Sequence, residues 1–290
     1  MRKSVFFLLV FCTAAASACL GNGQRIVSEP GYTADSSVDW AAGTISLEIT
    51  HSLDPSTPSL ARAKGDAETD LDARLPEFLS RAISPVTVDS SHTLGDLLKA
   101  DAALFARVND LALRARRAEL ALSPDLSTLR ARYVIPLFGE QGIASPLFPS
   151  TETLLRPRLG EVTTRAYTGL LIFAKGALPM AGASRPAAAR PALFPRIWDE
   201  QMNLVLDKGT CSPEWLQRWG MVGYSSDVED PALALRVGNL PLRLAARGVF
   251  GDVPTDIIIS VDGARQLLAL PENIALLREG RICIVYDSLE

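Results

Sequence analysis

Histidine and cysteine are scarce, with 2 His and 4 Cys in 290 residues. His51 and His92 are far apart, and neither has a His or Cys at ligand spacing, so a metal site is not expected. A Ser-His-Asp arrangement assembled in space stays open, but there is no Gly-x-Ser-x-Gly elbow and no Cys-x-x-Cys motif. Gly220, Gly223, Gly238, Gly248 and Gly251 never form the strand-to-helix loop that cradles phosphate, and no cofactor is expected. The chain is weakly acidic, with a net charge of −4, which argues against a nucleic-acid partner and gives no electrostatic help toward anionic lipid. Beyond the N-terminus the longest apolar runs, near Leu170 and Ile257, have strand length, whereas a membrane-spanning helix needs about 20 apolar residues. No internal repeat is present.

The N-terminus itself is distinctive. Arg2 and Lys3 precede the apolar run Val5–Cys12, then come small residues and Cys19. This is an export signal over residues 1–18. Ala16-Ser17-Ala18 fits ordinary signal peptidase. Ala16-Ser17-Ala18-Cys19 also resembles a bacterial lipobox, with Ala16 where Leu is usual. On the second reading Cys19 is the lipidated first residue of the mature chain, and the membrane is a partner through that lipid. More than one acyl chain makes such an anchor stable. Loss of Arg2 and Lys3 with the leader moves the net charge to −6. The expected address is the periplasm or the outer membrane.

Hydrophobic content of 48% with 21% charged residues is that of a globular protein. Residues 19–43, rich in Gly, Ser and Asp, read as a flexible tether. Residues 44–165 read as an N-terminal α+β lobe. Thr44–Thr50 alternates as a strand with Ile45, Leu47 and Ile49 facing inward. Thr57-Pro58 reads as the start of a helix running to about Ile83, kinked or divided at Pro76. Thr93–Asp96 resembles a capping box opening a helix that ends before Ser123-Pro124. A second strand covers Leu129–Leu137. Residues 166–290 read as a mostly β lobe closing in a strand–helix–strand unit. Its strands are expected at 166–174, 242–250, 255–259 and 281–286, with a hairpin over 194–206 and helices at 212–219, 260–268 and 272–278. Residues 175–190 read as a surface loop. The fold class is α+β in two lobes.

Candidate chemistry is sparse. Asp199-Glu200 sits in the hairpin turn and Asp227–Asp230 in a polar loop, where acids are ordinary. No catalytic residues emerge. Trp198, Trp215, Trp219 and Tyr224 crowd a short stretch and suit either a core or a binding face for a sugar or protein. Cys211 and Cys283 remain once Cys12 leaves with the leader and Cys19 carries lipid. They are either a disulfide, which an oxidising envelope permits, or buried free thiols.

The C-terminal lobe carries Tyr167-Thr168-Gly169-Leu170, Pro191–Glu200, Arg236-Val237-Gly238 with Pro241-Leu242, Thr255–Ser260, Asn273 and the closing Arg281–Val285. In this order they resemble a segment of bacterial envelope lipoproteins related to FlgP. The resemblance spans about the last 120 residues. It implies a structural or assembly role without catalytic residues, with envelope or flagellar proteins as partners. The alternative function is a periplasmic carbohydrate- or small-molecule-binding protein using the tryptophan-rich region.

Overall fold

The computed structural model describes residues 23–153, 155 and 162–288. The expected export signal, Cys12 and Cys19 lie outside the described residues.

The N-terminal lobe is a five-stranded antiparallel sheet covered on one face by helices. Its elements are β1 (Gln24–Glu29), β2 (Tyr32–Asp39), β3 (Thr44–Ser52), α1 (Leu60–Ile83), α2 (Leu94–Ala100), α3 (Ala102–Ala112), β4 (Arg116–Leu122) and β5 (Thr128–Pro136), with sheet order β1-β2-β3-β5-β4. Ile45, Leu47 and Ile49 point inward as their alternation requires, and Ala131, Tyr133 and Ile135 of β5 share that face. Against it α1 lays Ala67, Leu71, Phe78, Leu79 and Ala82, a stripe at spacings of three, four and seven.

Several expectations need correction. Residues 24–39 are not tether but two strands, with Tyr32, Ala34 and Ser36 buried. Their short polar outer face hid the alternation. Helix α1 is capped by Ser59, not Thr57, and it runs unbroken through Pro76. Pro76 is on the exposed face, so the carbonyl it leaves without a donor can be hydrated. The helix opened by the Thr93–Asp96 capping box breaks at Asp101, which caps α3 by accepting from Ala103 N and Leu104 N. That helical segment does not extend to residue 122, because Arg116–Leu122 is an edge strand paired with β5. Its leading Arg-Arg-Ala-Glu is compatible with either state, and pairing decides it.

The C-terminal lobe holds two four-stranded sheets. Its elements are β6 (Leu170–Phe173), β7 (Ala177–Leu178), β8 (Ala187–Ala188), β9 (Ile197–Asp199), β10 (Leu204–Leu206), α4 (Pro213–Trp219), β11 (Gly223–Ser225), α5 (Pro231–Val237), β12 (Leu242–Ala245), β13 (Gly248–Phe250), β14 (Asp256–Ile259), α6 (Val261–Leu268), α7 (Pro271–Arg278) and β15 (Ile282–Val285). One sheet, ordered β11-β15-β6-β12, is wholly parallel. Its central strands Leu170–Phe173 and Ile282–Val285 are continuous apolar runs, as strands buried on both faces must be. The other is ordered β10-β9-β14-β13. The run 242–250 is not one strand but two, β12 and β13, in different sheets. Strand β11 and helix α5 lie where no regular element was expected, and the loop 175–190 contains the small β7–β8 hairpin.

The lobes share one buried core and meet at two seams. At the first, the turn after α1 bonds to the C-terminal lobe: Leu193 N donates to Thr87 O (3.0 Å), Phe194 N to Val88 O (2.8 Å) and Val253 N to Ser90 O (2.9 Å). Beside these bonds lies Asp256, fully buried, accepting from Arg196 N (3.1 Å), Trp198 Nε1 (3.2 Å) and Ser90 Oγ (3.4 Å). Burial pushes its carboxyl above the ordinary range, and the bonds from Arg196, Trp198 and Ser90 only partly oppose this. A raised folded-state value means the native protein binds more protons than the unfolded chain above about pH 3.9, so this group's contribution to stability falls as pH rises through that window. The stability difference between wild type and Asp256→Asn, followed by urea unfolding from acid to neutral pH, should therefore move against wild type as pH increases. A difference independent of pH would contradict it.

Candidate functional site

The second seam forms a cleft of about 310 Å³. It is built from the β2–β3 turn, the end of β5, the C-terminus of α4 and helix α5. The N-terminal lobe contributes Trp40 and Phe138, and the C-terminal lobe contributes Arg218, Trp219 and Arg236. Gly139 N donates to Gln217 O across the seam (2.7 Å). Helix α4 ends at Gly220, whose φ of +79° suits glycine. A Cβ there would stand 2.5 Å from Phe138 Cζ, so the close approach of the two lobes also requires glycine.

Arg236 is the centre of the cleft's electrostatics. Its Nε donates to Gly280 O (2.8 Å), Nη1 to Trp219 O (2.8 Å) and Nη2 to Gly220 O (2.7 Å). These are carbonyls at the ends of α4 and α7, so one planar guanidinium caps two helix C-termini. Desolvation pulls its pKa down to about 10, which still leaves it charged at neutral pH. The side chain retains some exposure at the cleft although its surroundings are largely dry. Among the described residues it has no carboxylate partner.

Trp219 is ringed by cations. The Cζ atoms of Arg218, Arg236 and Arg281 lie 5.2, 5.2 and 5.9 Å from its ring centroid. Arg218 also covers Trp215 (4.9 Å), and the two indoles are 5.1 Å apart. Trp219 Nε1 donates to Glu279 O (2.9 Å). Glu279 pairs with Arg281 (2.6 Å), while Arg218 makes no ion pair among the described residues.

Trp215 and Trp219 are therefore brought together, and Trp198 and Tyr224 are placed elsewhere. Trp198 bonds to Asp256 and packs edge-on to Phe250. Tyr224 is buried, its hydroxyl donating to Ala192 O and accepting from Ala192 N, and it touches the cleft only through the back of Trp40 (ring centroids 5.7 Å apart). Trp40 was missed because it stands in a Ser- and Asp-rich stretch that resembles a tether. Arg236 enters the sequence reading only as part of a family resemblance, since one arginine in a helix carries no signal of its own.

The remaining candidates have structural partners. Asp199 is buried and accepts from Gln201 N, Asn203 N and Asn203 Nδ2, closing the β9–β10 turn. Glu200 accepts from Val261 N. Asp230 caps α5 and accepts from Ser225 Oγ, and Asp227 accepts from Glu229 N. His51 stacks on Tyr32 with Nδ1 at Gly31 O, and His92 sits against Asp89 in its own turn. Among the described residues no group of three or more His, Cys, Asp or Glu side chains could hold a metal ion, and no helix is long and apolar enough to cross a membrane.

Of the two readings of the cysteine pair, the structure shows the buried free thiols, and Cys211 and Cys283 are not bridged. Cys211 Sγ donates to Leu277 O, while Cys283 lies in β15 against β11 beside Gly223. Burial raises their pKa values to about 12 and about 11, so both stay protonated and inert.

Comparison with known proteins divides the chain where the fold does. No curated protein matches it. Residues 32–141 match the family model described as Treponema pallidum Tp0624, N-terminal domain, and residues 169–288 match that described as Treponema pallidum Tp0624, second domain. The matches name Tp0624 domains, and neither names a FlgP relative. The chain is thus similar, lobe by lobe and in the same order, to two domains of Treponema pallidum Tp0624.

Proposed function

We propose that the protein is exported, lipid-anchored at Cys19, and has a non-enzymatic structural or assembly role in the cell envelope. Flagellar or outer-membrane components are its partners, as the FlgP-like resemblance of the C-terminal lobe implies. The supporting observation is that the first described strand begins only a few residues after Cys19 in the sequence. Strand β1 starts at Gln24, so the chain between anchor and folded body reaches at most about 17 Å. A lipid there keeps the body beside the bilayer, within contact distance of other envelope proteins. Metabolic labelling with a fatty-acid probe tests the anchor: wild type should carry label and fractionate with membranes, and Cys19→Ala should do neither. An unlabelled wild type would overturn the anchored reading.

A second reading, an envelope protein that binds a carbohydrate or small molecule, is favoured by one observation. A cleft between the lobes is lined by two partly exposed tryptophans beside a cation that has no carboxylate counter-ion among the described residues.

A further inference from the structure

We infer that the cleft between the lobes binds a ring-bearing carboxylate, with a sugar acid of the glycuronate kind as the class that fits; this rests on the small-molecule reading above. Three properties of the cleft select that chemistry. Its walls include Trp40, Phe138 and Trp219, partly exposed aromatic rings of the kind that pack on the apolar side of a sugar ring. Its cations, Arg218 and Arg236, are not neutralised by any carboxylate among the described residues, while Arg281 beside them is paired with Glu279. Its volume of about 310 Å³ is at the small end of ligand sites, which excludes extended polymers from lying wholly inside.

The roles of the two arginines differ. Arg236 spends its Nε and one bond from each terminal nitrogen on three carbonyls, so its position is preset, and the remaining N–H groups of its fork stay available. The carbonyl dipoles hold it without cancelling its full charge. Arg218 is exposed, lies over the rings of Trp215 and Trp219 and has no ion pair among the described residues, so it can swing onto a carboxylate at the mouth. Asp39, at the end of the strand leading to Trp40, turns one oxygen to Ala42 N within its own turn. A ring seated on the indoles with its carboxylate between two guanidiniums gains charge-assisted bonds in a site where water is partly excluded.

Glucuronate, glucose and acetate separate the parts of this claim. They present the ring with the acid, the ring alone and the acid alone. Tryptophan fluorescence of the purified full mature chain should change saturably with glucuronate, and at least about ten-fold more weakly with glucose or acetate. Arg218→Gln should weaken glucuronate about ten-fold while lowering the melting temperature by only a few degrees, because Arg218 carries no ion pair among the described residues and loses only exposed contacts with two indoles. Glucose binding as tightly as glucuronate would overturn the carboxylate assignment and leave the small-molecule reading standing. Acetate binding equally well would overturn the ring. Glucuronate binding indifferent to Arg218→Gln would place the ligand elsewhere and overturn the site. Absence of a saturable change with all three probes would overturn this inference together with the small-molecule reading.

Discussion

Replacing Arg236 by methionine should destabilise the protein by about 4 kcal/mol, a large fraction of the stability of an ordinary domain. Methionine refills part of the volume, so the loss is chiefly electrostatic. Three carbonyls, those of Trp219, Gly220 and Gly280, lose their side-chain donor at once, and Trp219 loses one of its cations. Each buried acceptor left without a partner costs about 1–3 kcal/mol, and cleft water recovers part of it. Arg236→Lys should fall between, because a point ammonium cannot reproduce the planar fork that meets three acceptors together. Equilibrium urea unfolding measures both. A loss below about 1 kcal/mol in the methionine variant would mean that water already satisfies these carbonyls, and that the arginine is not what closes α4 and α7.

Gly251→Ala acts at the other seam and should cost about 3 kcal/mol. Gly251 has a φ of +106°, a conformation that side chains rarely adopt. A Cβ there would overlap Ser90 Cβ, and would stand 3.0 Å from Val253 O. Ser90 O accepts from Val253 N, and Ser90 Oγ faces Asp256, so the turn cannot retreat without breaking the bonds between lobes. The variant should show a lower melting temperature and faster proteolysis between the lobes. Gly176→Ala is the control. It has a similar positive φ, +77°, but open space around it, so it bears the backbone strain of about 1 kcal/mol without the collision. Equal losses at both positions would show that strain, not lobe packing, governs Gly251.

Much of the N-terminal lobe was readable because its side chains repeat with the period of their element. Ile45, Leu47 and Ile49 alternate, the α1 stripe repeats at three and four, and Thr93 with Asp96 closes a local capping box. Each is a signal within a few residues of chain. The failures share the opposite property. β2 hides its core alternation among serines and aspartates, β4 is a strand because β5 offers it a partner, and β11 has three residues that become a strand only alongside β15. Strand identity there is set by neighbours distant in sequence, which a local pattern cannot report.

The site divides in the same way. Trp215 and Trp219 stand four positions apart on one helix, so their proximity follows from helical geometry alone. That Trp219 lines one cleft with Trp40 and Arg236 follows from how the lobes close, through Gly220 against Phe138 and the bonds from Arg236 to two helix ends. The sequence by itself determined the α+β class and the inward faces of the long elements, because each is written in adjacent or periodic residues. Only the tertiary structure decided that Cys211 and Cys283 stay apart, that Asp256 is buried at a lobe seam, and that an arginine without a carboxylate partner among the described residues lies over Trp219 and lines a cleft with Trp40. Burial and charge balance are properties of surroundings, and those surroundings exist only after the chain has brought distant residues together.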